Sequence, residues 1–135
     1  MYQQMIFVNL AVDDLDASKK FYTELGYSIN AQFSDDHTAS VVISDTIVAM
    51  LHTRRRYAEF TKKEIADATR TSEVLLALSS ESREKVDELV GKAVAAGGSV
   101  TGETQDQGFM YGRAFDDLDG HTWEVVWMDP AAVEG

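Results

Sequence analysis

Hydrophobic and polar positions along the chain begin with a strand pattern followed by a helix pattern. Residues 5–12 are rich in β-branched and aromatic side chains and predict a β-strand. Apolar side chains then recur at helical spacing over 15–25, and Asp13 or Asp14 is placed to cap the start of this helix. Gly26 fits the position just past the helix end.

The same order of elements is predicted a second time. Three short strand patterns follow the first helix, at 27–34, 38–44 and 46–53. A charged segment without a strict period then predicts a connection with some helical content. The second set comprises a strand at 73–79, a helix over 82–98, and strands near 99–105, 110–116 and 121–128.

This repetition indicates an internal duplication with a period of about 68 residues. We therefore predict an α+β fold of two tandem βαβββ modules, approximately 1–53 and 72–130, with 54–71 as the connection. The modules together are predicted to form a single domain over 1–135. Two such sheets can form a concave surface around a pocket, where ligand sites are often found.

Charge and composition exclude some classes of function. The formal net charge is −11, which argues against a nucleic-acid partner and is compatible with a cationic ligand. No apolar run approaches the ~18 residues needed to span a bilayer, so no membrane partner is expected. The chain has no cysteine, which excludes disulfides and thiolate metal sites, and a cytoplasmic location is the default expectation.

Two stretches, together with the duplicated order, carry a family resemblance. "FVNLAVDDLDASKKFYTELGY" at the start and "FDDLDGHTWEVVWMDP" at the end resemble the vicinal oxygen chelate superfamily. That superfamily includes glyoxalase I, extradiol dioxygenases, fosfomycin-resistance enzymes and bleomycin-resistance proteins. Three longer stretches look like the bacterial branch labelled predicted lactoylglutathione lyase: "QFSDDHTASVVISDTIVAMLHT", "IADATRTSEVLLALSSESREKVDELV" and "GFMYGRAFDDLDGHTWEVVWMDP". The family resemblance covers essentially the whole chain.

The resemblance implies four positions for metal ligands, one on each of four strands. Glu124 in "DLDGHTWE" matches the family's glutamate, while the other positions fall on Phe7, Met50 and Leu75. These three side chains cannot hold the hard divalent metals that suit carboxylate and imidazole ligands. We therefore expect no metal site and no cofactor.

Strand alternation extends the predicted pocket beyond these positions. Asn9 and His52 are polar groups on the expected pocket face, and Tyr111 in "GFMYG" is the candidate pocket hydroxyl. His52 is expected at the solvent edge of its strand, with a proton relay as the alternative. The predicted pocket comprises Phe7, Asn9, Met50, His52, Leu75, Tyr111 and Glu124.

Glu124 is the candidate catalytic residue. A carboxylate among apolar side chains is costly to ionise, so its pKa is expected to rise unless a partner offsets the burial. It could then act as a general acid or base, contact a ligand, or serve only a structural role. The sequence leaves these three roles open.

Two classes of function follow from these features. The first is a small-molecule binding protein of the resistance or sequestration type, without the usual metal site. The second is an enzyme of the lactoylglutathione lyase or dioxygenase type, and whether the chain is an enzyme stays open. The family resemblance also implies a homodimer.

Overall fold

The computed structural model describes residues 1–133, so the last two residues of the predicted 1–135 domain lie outside the described part. It divides into two compact units, 1–67 and 68–135. The elements of the first unit are β1 (Ile6–Val12), α1 (Leu15–Glu24), β2 (Ser28–Ile29), a 3-10 helix (Ala31–Phe33), β3 (Thr38–Val42), β4 (Ile47–Thr53) and α2 (Arg54–Tyr57). Those of the second are β5 (Leu75–Ser79), α3 (Arg83–Ala95), β6 (Ser99–Asp106), β7 (Met110–Asp116), β8 (Thr122–Met128) and α4 (Pro130–Val133).

Each unit contains one four-stranded mixed sheet. The strand orders are β1-β4-β3-β2 and β5-β8-β7-β6, so the two sheets share one topology. In each sheet the first strand pairs in parallel with the last, and the remaining pairs are antiparallel. The predicted α+β class and the tandem βαβββ order are confirmed.

One helix packs on one face of each sheet and buries the apolar core of its unit. In the first unit α1 contacts β2, β3 and β4, and in the second α3 contacts β6, β7 and β8. The other face of each sheet is called the open face. The core side chains of the first unit include Leu10, Val12, Phe21, Tyr22, Val41 and Leu51, and those of the second include Val86, Val90, Phe115, Trp123 and Val125.

Helix ends follow the predicted chemistry. Asp14 is the N-cap of α1, and its side chain accepts a hydrogen bond from the backbone N–H of Ala17 at 3.0 Å. Gly26 follows the helix with φ of +107°, a conformation that glycine adopts without steric cost. Ser82 caps α3 in the same way, through the N–H of Lys85.

The predicted strand at 27–34 is wrong beyond its first residues, because β2 covers only Ser28–Ile29. Asn30 ends it, since its side-chain oxygen accepts from the N–H of Gln32 at 3.1 Å and starts the 3-10 helix. The Ser34 hydroxyl then donates to the Asn30 carbonyl at 2.7 Å and closes the turn.

The connecting segment carries a short helix, as expected of its composition. The Thr53 side chain accepts from the N–H of Arg56 and caps α2, which spans four residues. The unit boundary falls inside the predicted connection 54–71. None of the helices within residues 1–133 has the length and apolar character that a membrane span requires.

Candidate functional site

The open face of the first sheet buries polar side chains. β1 and β4 pair so that Asn9 lies beside Met50 and Ala11 beside His52, and β3 places Thr38 opposite His52. Thr38, Ser40 and His52 are all buried on this face. Buried polar groups are costly unless they are hydrogen-bonded, so their partners decide what the face can do.

His52 is bonded through both ring nitrogens. Its Nε2 lies 2.8 Å from Asn9 Oδ1, and its Nδ1 lies 2.9 Å from the Thr38 hydroxyl. Asn9 Oδ1 can only accept, so Nε2 carries a ring proton, and in the neutral imidazole Nδ1 accepts from the Thr38 hydroxyl. Neither ring nitrogen is free for a metal or a substrate proton.

The surroundings of His52 also favour its neutral form. Burial lowers the pKa of His52 below its usual value, and the positive charge of Arg56 lowers this pKa further, while Asp35 opposes the shift. The expected position at the solvent edge is wrong, because only 3% of His52 is exposed. The ring of Phe60 covers it in an edge contact, with centroids 4.9 Å apart.

A cleft of ≈ 300 Å³ opens beside this network in the first unit. Its size lies at the lower end of the range found for small-molecule pockets, about 300–1,000 Å³. Met50 and His52 are the two predicted pocket residues among its lining. The complete lining is Gln32, Phe33, Ser34, Asp35, Thr38, Met50, His52, Arg56 and Phe60.

Phe7 and Asn9 lie on the same face of the first sheet as Met50 but outside the lining of this cleft. Asn9 touches the site through His52, whereas Phe7 is 55% exposed. Both positions therefore stay predictions as ligand contacts.

Glu124 lies on the open face of the second sheet. It pairs with Ala77 on β5 and with Ala114 on β7, so its neighbours across the strands are small. It is half-buried, and within residues 68–133 its carboxylate has no hydrogen-bond or ion-pair partner. Leu75 shares this face and is exposed.

Tyr111 does not share a face with Glu124. It pairs with Trp127, whereas Glu124 pairs with Ala114, and the two pairs have opposite parity along the hairpin. The Tyr111 hydroxyl donates to Asp87 on α3 at 2.7 Å, on the helix-covered side. The prediction that Tyr111 supplies a pocket hydroxyl is therefore wrong, because its hydroxyl is bonded to Asp87 on the side of the sheet away from Glu124.

The register of the strand pairs shows that Met50 in the first sheet is the counterpart of Glu124 in the second. Met50 pairs two residues after Phe7 on β1, and Glu124 pairs two residues after Leu75 on β5. Met50 thus has in the first sheet the place that Glu124 has in the second. The assignment of the family's ligand positions to Phe7, Met50, Leu75 and Glu124 stays a prediction.

These four residues do not fit a divalent metal of the kind that the family resemblance implies. A phenyl ring, a thioether and a leucine side chain supply no oxygen or nitrogen donor, which leaves one carboxylate. Within the described residues 1–133, no group of three or more His, Asp or Glu side chains is placed to hold a metal ion. The four positions therefore do not form a metal site of that kind.

Several lining residues of the cleft were missed by sequence reasoning. Phe33 belongs to the stretch predicted as a strand at 27–34, and Phe60 and Arg56 belong to the charged connection without a strict period. The aromatic residues in an otherwise charged connection were the available signal. Asp35 and Thr38 flank His37 in a polar stretch that carried no such signal.

Comparison with known proteins agrees with this architecture. The family model described as the Glyoxalase/Bleomycin resistance protein/Dioxygenase superfamily matches residues 4–125. The chain belongs to this superfamily. No curated protein matches the sequence.

Solved structures share the fold over nearly the whole chain. A hypothetical protein from S. aureus is 32% identical with a TM-score of 0.78, and the match covers 94% of each chain. A glyoxylase/bleomycin resistance protein/dioxygenase domain from Frankia sp. EAN1pec is 27% identical with a TM-score of 0.69, over 95% of this chain and 93% of that one. The fosfomycin resistance protein FosX from Listeria monocytogenes is 20% identical with a TM-score of 0.66, over 94% and 92%, and shows the fold alone.

Proposed function

We propose that this chain is a small-molecule binding protein of the glyoxalase superfamily that holds its ligand without a metal ion. The observation that carries the proposal is the residue set at the four family ligand positions, where Phe7, Met50 and Leu75 lack any donor for a hard metal. A ligand-sized cleft that contains Met50 supports binding as the retained activity.

The cleft combines apolar walls with a few polar groups. Phe33, Met50 and Phe60 supply apolar surface, while Thr38 and Arg56 are polar. Such a lining is typical of sites that bind small, partly apolar compounds. His52 contributes a neutral, fixed wall because both its nitrogens are occupied.

Calorimetric titration with Ni²⁺, Zn²⁺, Mn²⁺ and Fe²⁺ tests the metal-free part of the proposal. Untagged protein purified without chelators is expected to show no near-stoichiometric binding. Tight binding that is lost in Glu124→Ala but kept in Glu103→Ala, an exposed carboxylate on β6, would overturn the proposal.

A metal-free or metal-assisted enzyme of the lactoylglutathione lyase or dioxygenase type is the second candidate. The observation that favours it is the half-buried Glu124 carboxylate, which has no partner within residues 68–133. A positioned carboxylate can move a proton to or from a bound substrate. Thioester formation from the hemithioacetal of methylglyoxal and glutathione, with and without added metal, tests this function. Activity abolished in Glu124→Gln would establish it, and no turnover under any condition would exclude the lyase.

We also propose that the protein is a homodimer. β1 is an edge strand of the first sheet, and Ile6 on it is 56% exposed in the single chain. Exposed apolar edge strands tend to associate with another chain. Light scattering after size-exclusion chromatography is expected to give twice the chain mass, and Ile6→Lys is expected to shift the protein toward monomer. A control on a different element, Val94→Lys on α3, is expected to leave the mass unchanged.

A further inference from the structure

The charged groups that line the cleft are Arg56 and Asp35, and they are not equally engaged. Asp35 Oδ1 accepts from the backbone N–H groups of His37 at 2.8 Å and Thr38 at 3.0 Å. These bonds, led by that from His37, and the charge of Arg56 lower the pKa of Asp35, which is therefore ionised and held by its own loop.

The guanidinium of Arg56, by contrast, has no short bond within residues 1–67. Its Nη2 lies 3.8 Å from Asp35 Oδ2, and its Nε lies 3.7 Å from Glu59 Oε2. Charge-assisted N–H···O bonds are about 2.7–2.9 Å long, so both contacts are loose ion pairs. Arg83 in the second unit, by comparison, forms a close ion pair, with two hydrogen bonds of 2.9 and 2.6 Å to Asp106.

Arg56 therefore presents donors to whatever enters the cleft. A guanidinium is planar and can donate two parallel hydrogen bonds to one carboxylate. Neither Asp35 at 3.8 Å nor Glu59 at 3.7 Å accepts such a pair of bonds from Arg56. The side chain of Arg56 is 30% exposed, so a ligand can reach it from solvent without unfolding the site.

The apolar walls of the cleft fix the other end of the ligand. Phe33 and Phe60 are 60% and 61% exposed, and Met50 on β4 also lines the cleft. Exposed phenyl rings gain by packing against another ring or apolar group. A ligand with an apolar ring would cover them.

The net charge of −11 suggests a cationic ligand, but the charged residues of the chain do not contribute equally to the electrostatic potential in the cleft. Fields from exposed charges fall off over about 8 Å at physiological ionic strength, so the groups that line the cleft dominate. Of these, Asp35 and Arg56 carry opposite charges. The Asp35 carboxylate keeps its charge but is bonded by the backbone N–H groups of its own loop, so Arg56 is the charged group whose donors lack short bonds.

We propose that the cleft selects small apolar or aromatic ligands that carry a carboxylate, with Arg56 as the residue that pairs with it. The inference rests on the proposed binding function, because it names the ligand class of the same cleft. It replaces the cationic ligand suggested by composition.

Three naphthalene probes separate the contributions of charge and ring. 2-Naphthoate, naphthalene-2-carboxamide and 2-naphthylmethylammonium share the ring and differ in the charge of the substituent. Binding is measured by calorimetry, and amide shifts of ¹⁵N-labelled protein report whether the probe lies near Met50 and Phe60. Naphthoate is expected to bind about tenfold more tightly than either other probe, since hydrogen bonds between ionised partners are the stronger ones.

Two neighbouring arginines give a matched pair of variants. Arg56→Gln is expected to weaken naphthoate about tenfold and to leave the carboxamide within about twofold. Arg55→Gln removes the same charge one residue away, on an exposed side chain that does not line the cleft, and is expected to change neither. Circular dichroism of both variants checks that the fold is kept.

The outcomes separate the ligand class from the proposed function. If the ammonium or the carboxamide binds as tightly as naphthoate, or if Arg55→Gln weakens naphthoate as much as Arg56→Gln, the carboxylate assignment is wrong while binding in the cleft stands. If none of the three probes binds, or all shift amides away from Met50 and Phe60, small-molecule binding in this cleft is contradicted as well.

Discussion

The two units share one topology, but the bonded set beside the cleft of the first unit and the bonded set that joins α3 to the sheet in the second lie on different faces. In the first, the bonded set of Thr38, His52 and Asn9 lies on the open face and is uncharged. In the second, the bonded set lies on the helix-covered face, where Asp87 on α3 accepts from Tyr111 at 2.7 Å and from Arg113 at 3.0 Å. A duplicated backbone therefore fixes strand order without fixing which face holds polar groups.

The chemistry of the two sets differs as much as their location. The set in the first unit is neutral and mostly buried, so it orders a surface beside the cleft. The set in the second unit is charged and partly exposed. Arg83 stacks over the rings of Tyr111 and Trp127 at 4.9 and 5.5 Å while it bonds Asp106, and so joins α3 to the sheet. We infer that the neutral set of the first unit orders the surface of the cleft, whereas the charged set of the second unit stabilises the packing of α3 on its sheet.

The largest expected effect concerns a turn that differs between the units. Gly120 precedes β8 with φ of +88°, and a Cβ there would lie 2.8 Å from the backbone of Ala68 and Thr69. The corresponding turn of the first unit, 43–46, contains no glycine. Gly120→Ala is expected to lower the free energy of unfolding by about 3–5 kcal/mol through strain and overlap.

Gly102→Ala is the control for that prediction. Gly102 also has a positive φ, +70°, but nothing lies within 4 Å of its added Cβ, so a loss of about 1 kcal/mol is expected. Urea denaturation measures both. Equal losses would show that the contact with Ala68 carries no cost.

The next effect tests the buried set of the first unit. His52→Ala removes both hydrogen bonds and leaves the buried Thr38 hydroxyl without its ring partner, which is expected to cost about 2–3 kcal/mol in unfolding free energy. Val126 has the matching register place on β8, and Val126→Ala is expected to cost about 1 kcal/mol. Thermal and urea denaturation compare the two, and equal costs would contradict the difference drawn between the open faces.

The neutral histidine also predicts a pH dependence. Because the pKa of folded His52 lies below its unfolded value of 6.5, the unfolded chain binds more protons just below that pH. Stability is therefore complete above about pH 6.5 and falls as the pH drops through the folded pKa. His52→Gln is expected to flatten the unfolding free energy in this window, and an unchanged profile would count against the buried neutral ring.

The charged set of the second unit predicts a different pH window. The hydrogen bond from Arg83, together with that from Gly108, lowers the pKa of Asp106 to about 2. The stability from this pair is present above the ordinary aspartate pKa of 3.8 and is lost as the pH falls toward 2. Asp106→Asn is expected to remove this dependence and to leave the window near pH 6 as it is. Added salt is expected to weaken this contribution to stability. A free energy of unfolding that responds to neither pH nor salt in this window would contradict the role given to the Arg83–Asp106 pair.

The smallest effect is expected at Glu124. Its carboxylate has no partner within residues 68–133, so Glu124→Gln is expected to change the unfolding free energy by less than about 0.5 kcal/mol. Denaturation at neutral pH measures this. A loss comparable to that of His52→Ala would mean that Glu124 serves the fold.

Periodicity predicted the element order because each module repeats the same alternation of strand and helix patterns. It failed at 27–34, where the side chain of Asn30 competes with the ladder for backbone bonds. Tyr111 was chosen as the pocket hydroxyl from its place in "GFMYG". Which face of the sheet it occupies depends on the pairing of β7 with β8, which the sequence does not define.

Only those lining residues of the cleft that lie on strands were predictable from the sequence. Met50 and His52 follow from alternation along β4, but Phe33, Arg56 and Phe60 come from segments whose path is set by caps and tertiary contacts. His52 was expected at the solvent edge because nothing in the connecting segment predicted that Phe60 would return over the ring. A residue at a strand end can be assigned to the surface or the interior only when the path of the next segment is known.

The parallel pairing of β1 with β4 has a consequence for the order of folding. The antiparallel β3–β4 hairpin can form from neighbouring residues, whereas β1 must wait until the chain as far as Thr53 is available. Within residues 1–133, the first sheet contains no strand from beyond Thr53. During synthesis its strands can therefore all pair before β5 has left the ribosome, and we expect the docking of its own first strand to be the slow step for this unit.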